Sequence, residues 1–287
     1  MAYGVEQKSR NVAVVRIPYT SSFEQKFLLT ADRHWDNPQS DWELQKRHLD
    51  LAKRYKAGVI DIGDFFCAMQ GKFDKRSKKG DLRPEHKRDD YLDSLVETAV
   101  DFFAPYAKQF IMIGMGNHET SILKKHETNL TNNLVANLNR LSGTAIYNGG
   151  YSGWVNFECV NERSGKVDSK KLWYIHGYGG GGPVTRGVIQ TNRKAVYLPD
   201  ADVVISGHTH DEWVVPISRT RLGPDNRQYL DEQMHVQIPT YKDEYGDGFG
   251  GFHIEKGRPP KPIGAIWMRI FKEDSRGPIE VDFHRAR

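Results

Sequence analysis

The chain has 287 residues, 38% of them hydrophobic and 27% charged, which accommodates one large domain or two small ones and excludes a disordered chain. No stretch approaches the roughly 18 apolar residues of a membrane-spanning helix, and the opening MAYGVEQKSR carries no apolar run of a signal peptide, so the expected compartment is the cytoplasm and no membrane partner is expected. Lysine and arginine exceed aspartate and glutamate by 41 to 37, a net charge of +4 that neither demands nor excludes a polyanionic partner, and the two cysteines, Cys67 and Cys159, show no CxxC spacing that would indicate a disulfide framework or thiolate metal site.

In chain order, the first apolar β-branched run is Lys26 to Thr30, short enough for a buried strand. Asp41 to Lys56 follows, with Leu44, His48, Leu51 and Tyr55 on one helical face. Val59 to Ile62 is the second strand; Leu92, Leu95, Val96, Ala99, Val100 and Phe103 form an amphipathic stripe; Phe110 to Gly114 is the third strand. Strand, helix, strand, helix, strand predicts right-handed βαβ crossovers and a parallel or mixed sheet. The second half reads as strands, over Ser152 to Val160, Lys171 to His176, Asp202 to Ser206 and Glu212 to Ile217, with little helical signal. Ala265 to Phe271 and Ile279 to Phe283 extend that texture, so a second sheet packed on the first is expected: an α/β sandwich of two sheets flanked by helices. Gln70 to Asp90, charged, and Gly246 to Pro262, rich in Gly and Pro, read as surface insertions.

The chemistry collects at strand ends. The first strand ends in Thr-Ala-Asp-Arg-His, which places Asp32 and His34 two residues apart and able to point the same way. The second ends in Asp-Ile-Gly-Asp, placing Asp64; the third ends in Gly-Met-Gly-Asn-His-Glu, placing Asn117, His118 and Glu119. Two later strands deliver His176 and the pair His208 and His210. Carboxyl ends of neighbouring strands in an open α/β sheet converge on one crevice. Oxygen and nitrogen donors without sulfur suit manganese, iron, zinc or nickel, and seven such groups are too many for one ion. Two ions about 3.5–4 Å apart and bridged by one carboxylate would use them all, with Asp64 the natural bridge.

The ordered set DRH, GD, GNHE, a lone His before Gly, and GHTH resembles the calcineurin-like metallophosphoesterase superfamily. The resemblance implies one metal held by Asp32, His34, Asp64 and His210, and another by Asp64, Asn117, His176 and His208, manganese first. It also implies His118 as the phosphate-contacting and leaving-group acid, Glu119 as its orienting partner, and a metal-bridging hydroxide as nucleophile. Because these positions run from 32 to 210, the whole chain, 1–287, is expected to form one domain. One departure stands out: the second motif usually reads GDxxD, and here Cys67 occupies the place of its second aspartate.

Gly-His-Thr-His resembles the nuclease and phosphodiesterase branches more than the protein phosphatases, and the wording around it resembles unassigned phosphoesterases of bacterial viruses. The segment Lys72 to Arg88 holds eight basic residues against three acidic ones and begins near the Asp64 strand end. Lys72, Lys75, Arg76, Lys78 and Lys79 are therefore candidate contacts to a phosphate backbone. The expected activity is hydrolysis of a phosphodiester in a nucleic acid or nucleotide. A phosphomonoesterase or protein phosphatase of the same superfamily remains open, as does a non-catalytic binding module like the retromer subunit of this fold. The glycine-rich run from Gly177 to Gly182 would approach a phosphate through backbone N–H groups or act as a loop or lid.

Overall fold

The computed structural model describes residues 3–69, 82–180, 188–249, 252–274 and 277–286. Its strands are β1 (Gly4–Ser9), β2 (Val12–Tyr19), β3 (Phe23–Thr30), β4 (Gly58–Asp61), β5 (Phe110–Gly114), β6 (Tyr147–Gly150), β7 (Ser152–Asn161), β8 (Val167–Ile175), β9 (Val203–Ser206), β10 (Trp213–Leu222), β11 (Gln228–Gln237), β12 (Ala265–Lys272) and β13 (Glu280–Ala286). Its helices are α1 (Trp42–Arg54), α2 (Tyr91–Phe103), α3 (Asn117–His126), α4 (Leu130–Ser142), α5 (Val188–Tyr197) and the single turn α6 (Phe252–Glu255). Among the described residues, no helix is long and apolar enough to cross a membrane.

Two mixed sheets face each other, one of six strands in the order β13-β12-β3-β4-β5-β6 and one of seven in the order β1-β2-β7-β8-β9-β11-β10. This is the expected two-sheet α/β sandwich. Strands β3 to β6 run parallel, in register Thr30 to Asp61 and Asp61 to Ile113, so their carboxyl ends lie side by side. In the other sheet β8 and β9 are parallel, with Ile175 opposite Ser206. The helical predictions for the first half describe α1 and α2. Asp41 caps α1 by accepting from the Leu44 N–H at 2.8 Å.

The structure departs from the sequence reading at three places. The two terminal strands join the first sheet, not the second: β12 lies antiparallel to β3, pairing Met268 with Phe27 and Ile266 with Leu29. Covered in this way, β3 presents no open edge, and the buried Ile266, Met268 and Ile270 enter the layer between the sheets. The opening hairpin β1-β2 and strands β6 and β11 are additional. Helix α5 breaks the strand-rich texture expected of the second half, and α3 and α4 fill 117–142, for which no element is predicted; in α4 the buried stripe Leu130, Leu134, Val135 and Leu138 is diluted to the eye by interleaved asparagines.

One apolar layer fills the space between the sheets, around Phe27, Leu29, Ile60, Met112, Phe157, Tyr174 and Ile205. A second lies between the six-stranded sheet and α1, α2 and α4, around Leu28, Trp35, Leu49, Leu95, Phe103 and Leu134. Arg33 enters this second layer, whereas its neighbours Asp32 and His34 lie in a cluster with His210. Fully buried, it donates to Asp61 at 2.6 Å, to Gln45 at 3.0 Å and to the Thr30 hydroxyl at 2.9 Å, with the rings of Phe65, Phe103 and Tyr241 about its guanidinium. Removing one partner leaves a buried charge uncompensated, so Asp61→Ala is expected to lower unfolding free energy by about 3–5 kcal/mol in denaturant titration. A loss below about 1 kcal/mol would mean the Arg33 charge reaches water.

Candidate metal centre

The loops that follow β3, β4, β5, β8 and β9 meet at one end of the sandwich. They are stitched by backbone bonds: Asp32 N–H to the Gly63 carbonyl at 2.9 Å, His34 N–H to the Asp64 carbonyl at 3.1 Å, and Gly207 N–H to the His176 carbonyl at 2.8 Å. Close approach requires glycine at two places. Gly63 has φ of +109°, and a side chain at Gly116 would collide with the Asp64 carboxylate.

Backbone strain collects here too. Of the nine non-glycine residues with positive φ among the described residues, five are the candidate donors Asp32, His34, Asp64, His208 and His210. Left-handed conformations of this kind cost on the order of 1–3 kcal/mol each and persist where surroundings over-determine them, typically at functional sites. The overdetermination is visible at Asp32, whose carbonyl accepts from both the Tyr241 N–H at 3.1 Å and the Thr240 hydroxyl at 2.8 Å.

All seven predicted donors come together, in two triads and their neighbours. Ligand atoms of Asp32, His34 and His210 lie within 4.8 Å of one another, as do those of Asp64, His176 and His208. His34 Nε2 is 3.2 Å from His210 Nε2, and His210 Nε2 is 3.3 Å from Asp32 Oδ1. His176 Nε2 is 3.1 Å from Asp64 Oδ2, and His208 Nδ1 is 2.6 Å from Asn117 Oδ1. The remaining oxygens are held by backbone: Asp32 Oδ2 accepts from the His208 N–H at 2.8 Å, and Asp64 Oδ1 from the His118 N–H in the first turn of α3 at 3.0 Å.

These residues fit divalent cations. Asp32 Oδ1 and His176 Nε2 are buried without a hydrogen-bond partner, which nearly every buried polar atom has. His176 Nδ1 faces the Ile62 carbonyl at 3.2 Å; donating there, it leaves the Nε2 lone pair aimed into the cluster. Burial alone would push His176 and His210 down, yet Asp64 and Asp32 draw His176, and Asp32 with Glu244 draws His210, up to about 9. The cluster thus calls for positive charge at its centre, which a metal ion supplies without a proton.

His118 stands at the edge, its side chain 11% exposed, with Nε2 3.8 Å from Asp64 Oδ2 and Nδ1 against the Cys67 carbonyl. Glu119 does not orient it. Its buried carboxylate accepts instead from the N–H groups of Gly116 at 2.7 Å, Phe66 at 2.8 Å and Asp64 at 3.2 Å, which locks the Asp64 loop to the start of α3. The ring of His118 is oriented by the main chain of Cys67.

Cys67 is a buried thiol that burial pushes up to about 12. In place of the second-motif aspartate, Asp36 braces this turn, accepting from the N–H groups of Cys67 at 2.6 Å and Ala68 at 2.9 Å and from the Tyr91 hydroxyl at 3.0 Å. Asp36 lies two residues past His34 and Glu244 lies well beyond GHTH; sequence reasoning missed both. An Asp just after DRH was a usable signal for the first; the second had none.

Lys72, Lys75, Arg76, Lys78 and Lys79, like Gly181 and Gly182 of the glycine run, lie outside the described residues. Two cations at the described end of the basic segment are engaged within the protein. Arg83 stacks 3.6 Å above Trp42 and donates to the Ser40 carbonyl, while Arg88 pairs with Asp90 and Glu97.

A scan against protein-family models finds no match, and neither does a search of curated proteins. Among solved structures, the chain is similar to a Streptococcus pneumoniae protein described as a predicted phosphoesterase (12% identity, 92% of this chain and 90% of that one, TM-score 0.34). It is also similar to Vps29 from Entamoeba histolytica complexed with zinc (9%, 91% and 99%, TM-score 0.36). A third is a metallophosphoesterase from Sphaerobacter thermophilus (13%, 92% and 89%, TM-score 0.36). Identities and scores this low transfer none of those proteins' chemistry to this chain.

Proposed function

We propose that this chain is a dinuclear metal-dependent phosphoesterase acting on a phosphodiester, in a nucleic acid or a nucleotide. One observation carries the reading: seven oxygen and nitrogen donors from five loops converge, with Asp32 Oδ1 and His176 Nε2 buried and unpartnered among them. One ion would be held by Asp32, His34, Asp64 and His210, the other by Asp64, Asn117, His176 and His208. Bound there, two divalent cations, manganese first, would lower the pKa of a water and offset charge developing on the phosphoryl oxygens.

The chain's own residues supply the rest. The His118 N–H and the lock made by Glu119 hold Asp64 beside His176. With Nδ1 engaged by the Cys67 carbonyl, a proton that His118 passes to the leaving oxygen would travel through Nε2, on its partly exposed side. The diester preference is supported by Gly-His-Thr-His and by the basic residues Lys72, Lys75, Arg76, Lys78 and Lys79, whose charge suits a phosphate backbone.

Purified protein, stripped of metal and reloaded with manganese, iron, zinc or nickel, is expected to hydrolyse bis(p-nitrophenyl) phosphate faster than p-nitrophenyl phosphate. DNA, RNA and cyclic nucleotides then define the natural diester. Faster turnover of the monoester would transfer the reading to a phosphomonoesterase. Absence of metal-dependent turnover on every substrate would leave a binding module.

A further inference from the structure

His210 turns its far side toward a part of the chain that no motif reaches. While Nε2 faces Asp32, Nδ1 lies 3.4 Å from Glu244 Oε2. The Glu244 side chain is 15% exposed and is gripped from two further directions. Lys242 Nζ donates to Oε1 at 2.6 Å, and His253 Nε2, in α6, lies 2.5 Å from Oε2. Burial would raise this carboxyl, but His210 and Lys242 hold it well below the usual carboxylate range.

The segment carrying Glu244 is pinned to the same ligand loop that it serves. The Thr240 hydroxyl donates to the Asp32 carbonyl and accepts from the Lys242 N–H at 3.0 Å; the Tyr241 N–H also reaches the Asp32 carbonyl. Asp243 then closes the turn by accepting from the N–H groups of Tyr245 and Gly246. Chain 240–244 therefore crosses behind Asp32 and delivers a carboxylate to the rear of His210.

We propose that Glu244 is a positioning residue for the metal site of Asp32, His34 and His210, accepting the His210 Nδ1 proton so that the Nε2 lone pair is presented beside Asp32 Oδ1. A carboxylate behind a ligating imidazole fixes its tautomer and ring angle and raises its basicity. The contrast with His176 is informative. There the equivalent acceptor is the neutral Ile62 carbonyl, so the two metal positions differ in the group that stands behind an imidazole ligand. The inference rests on the reading that these residues hold metal ions.

The test uses the full chain, stripped and titrated with Mn2+, read by metal content and by electron paramagnetic resonance. Wild type is expected to bind two ions with an exchange-coupled spectrum. Glu244→Ala is expected to hold one ion normally and the other about 10–100-fold more weakly, the coupled spectrum giving way to that of an isolated Mn2+ ion. Glu244→Gln, which keeps an acceptor without the charge, should fall between the two; if the alanine variant does not fold, the glutamine variant alone decides. Wild-type affinity and spectrum in whichever variant decides would overturn the role of Glu244 and leave the two-metal reading standing. Wild type that binds no Mn2+ would overturn both.

Discussion

Asp64→Ala is expected to abolish stoichiometric metal binding at both positions and, with it, turnover. In the proposed ligand set Asp64 is the donor shared by both ions, and it lies in the triad with His176 and His208. Its Oδ2 faces His176, its Oδ1 is held by the His118 N–H, and its backbone N–H and carbonyl tie to Glu119 and His34. Loss of an outer partner of a metal ligand costs roughly 10–100-fold, so loss of a shared ligand should exceed that in activity. Asp64→Asn separates charge from shape: it can still accept from the His118 N–H but supplies no anion between the ions, and it should lose at least one ion. Inductively coupled plasma analysis of the desalted variants, beside bis(p-nitrophenyl) phosphate assays, checks both. A variant that keeps two ions and normal rates would remove Asp64 from the centre.

His118→Ala is expected to separate binding from chemistry. The ring is not among the seven donors, and its Nδ1 leans on the Cys67 carbonyl, so both ions should remain. General acid catalysis contributes typically about 10²–10⁴-fold, and that contribution grows as the leaving group becomes more basic. Turnover should therefore fall most for alkyl esters and least for p-nitrophenyl esters, steepening the dependence of rate on leaving-group pKa. Equal rates for wild type and variant with good and poor leaving groups would show that His118 is not the acid.

Much of this centre is legible in the sequence because strand ends are. An apolar run that stops at Asp, His or Asn advertises a polar group at the mouth of a sheet, and five such ends in order identify Asp32, His34, Asp64, Asn117, His176, His208 and His210. Fold class follows from the same alternation of strands and helices. What is not legible depends on contacts between residues distant in the chain. Glu119 reads as a partner of its neighbour His118, but α3 carries its carboxylate toward the N–H groups of Asp64 and Phe66, which no local pattern reveals. Asp36 takes up the turn that the second motif leaves to Cys67, across a gap of 31 residues. Strands β12 and β13 look like members of the second sheet by position, but β12 pairs with β3, whose edge would otherwise stay open, and β13 pairs with β12. Nor does sequence show that Asp32, His34, Asp64, His208 and His210 adopt left-handed backbone, since any of them could sit in extended chain.

The central claim, that these seven side chains form a two-metal centre, is tested most directly by anomalous scattering from a crystal of the protein equilibrated with Mn2+. The account predicts two anomalous peaks, one on each side of the Asp64 carboxylate, the first in contact with Asp32, His34 and His210 and the second with Asn117, His176 and His208. A single peak, or peaks that leave Asp64 uncoordinated, would contradict it.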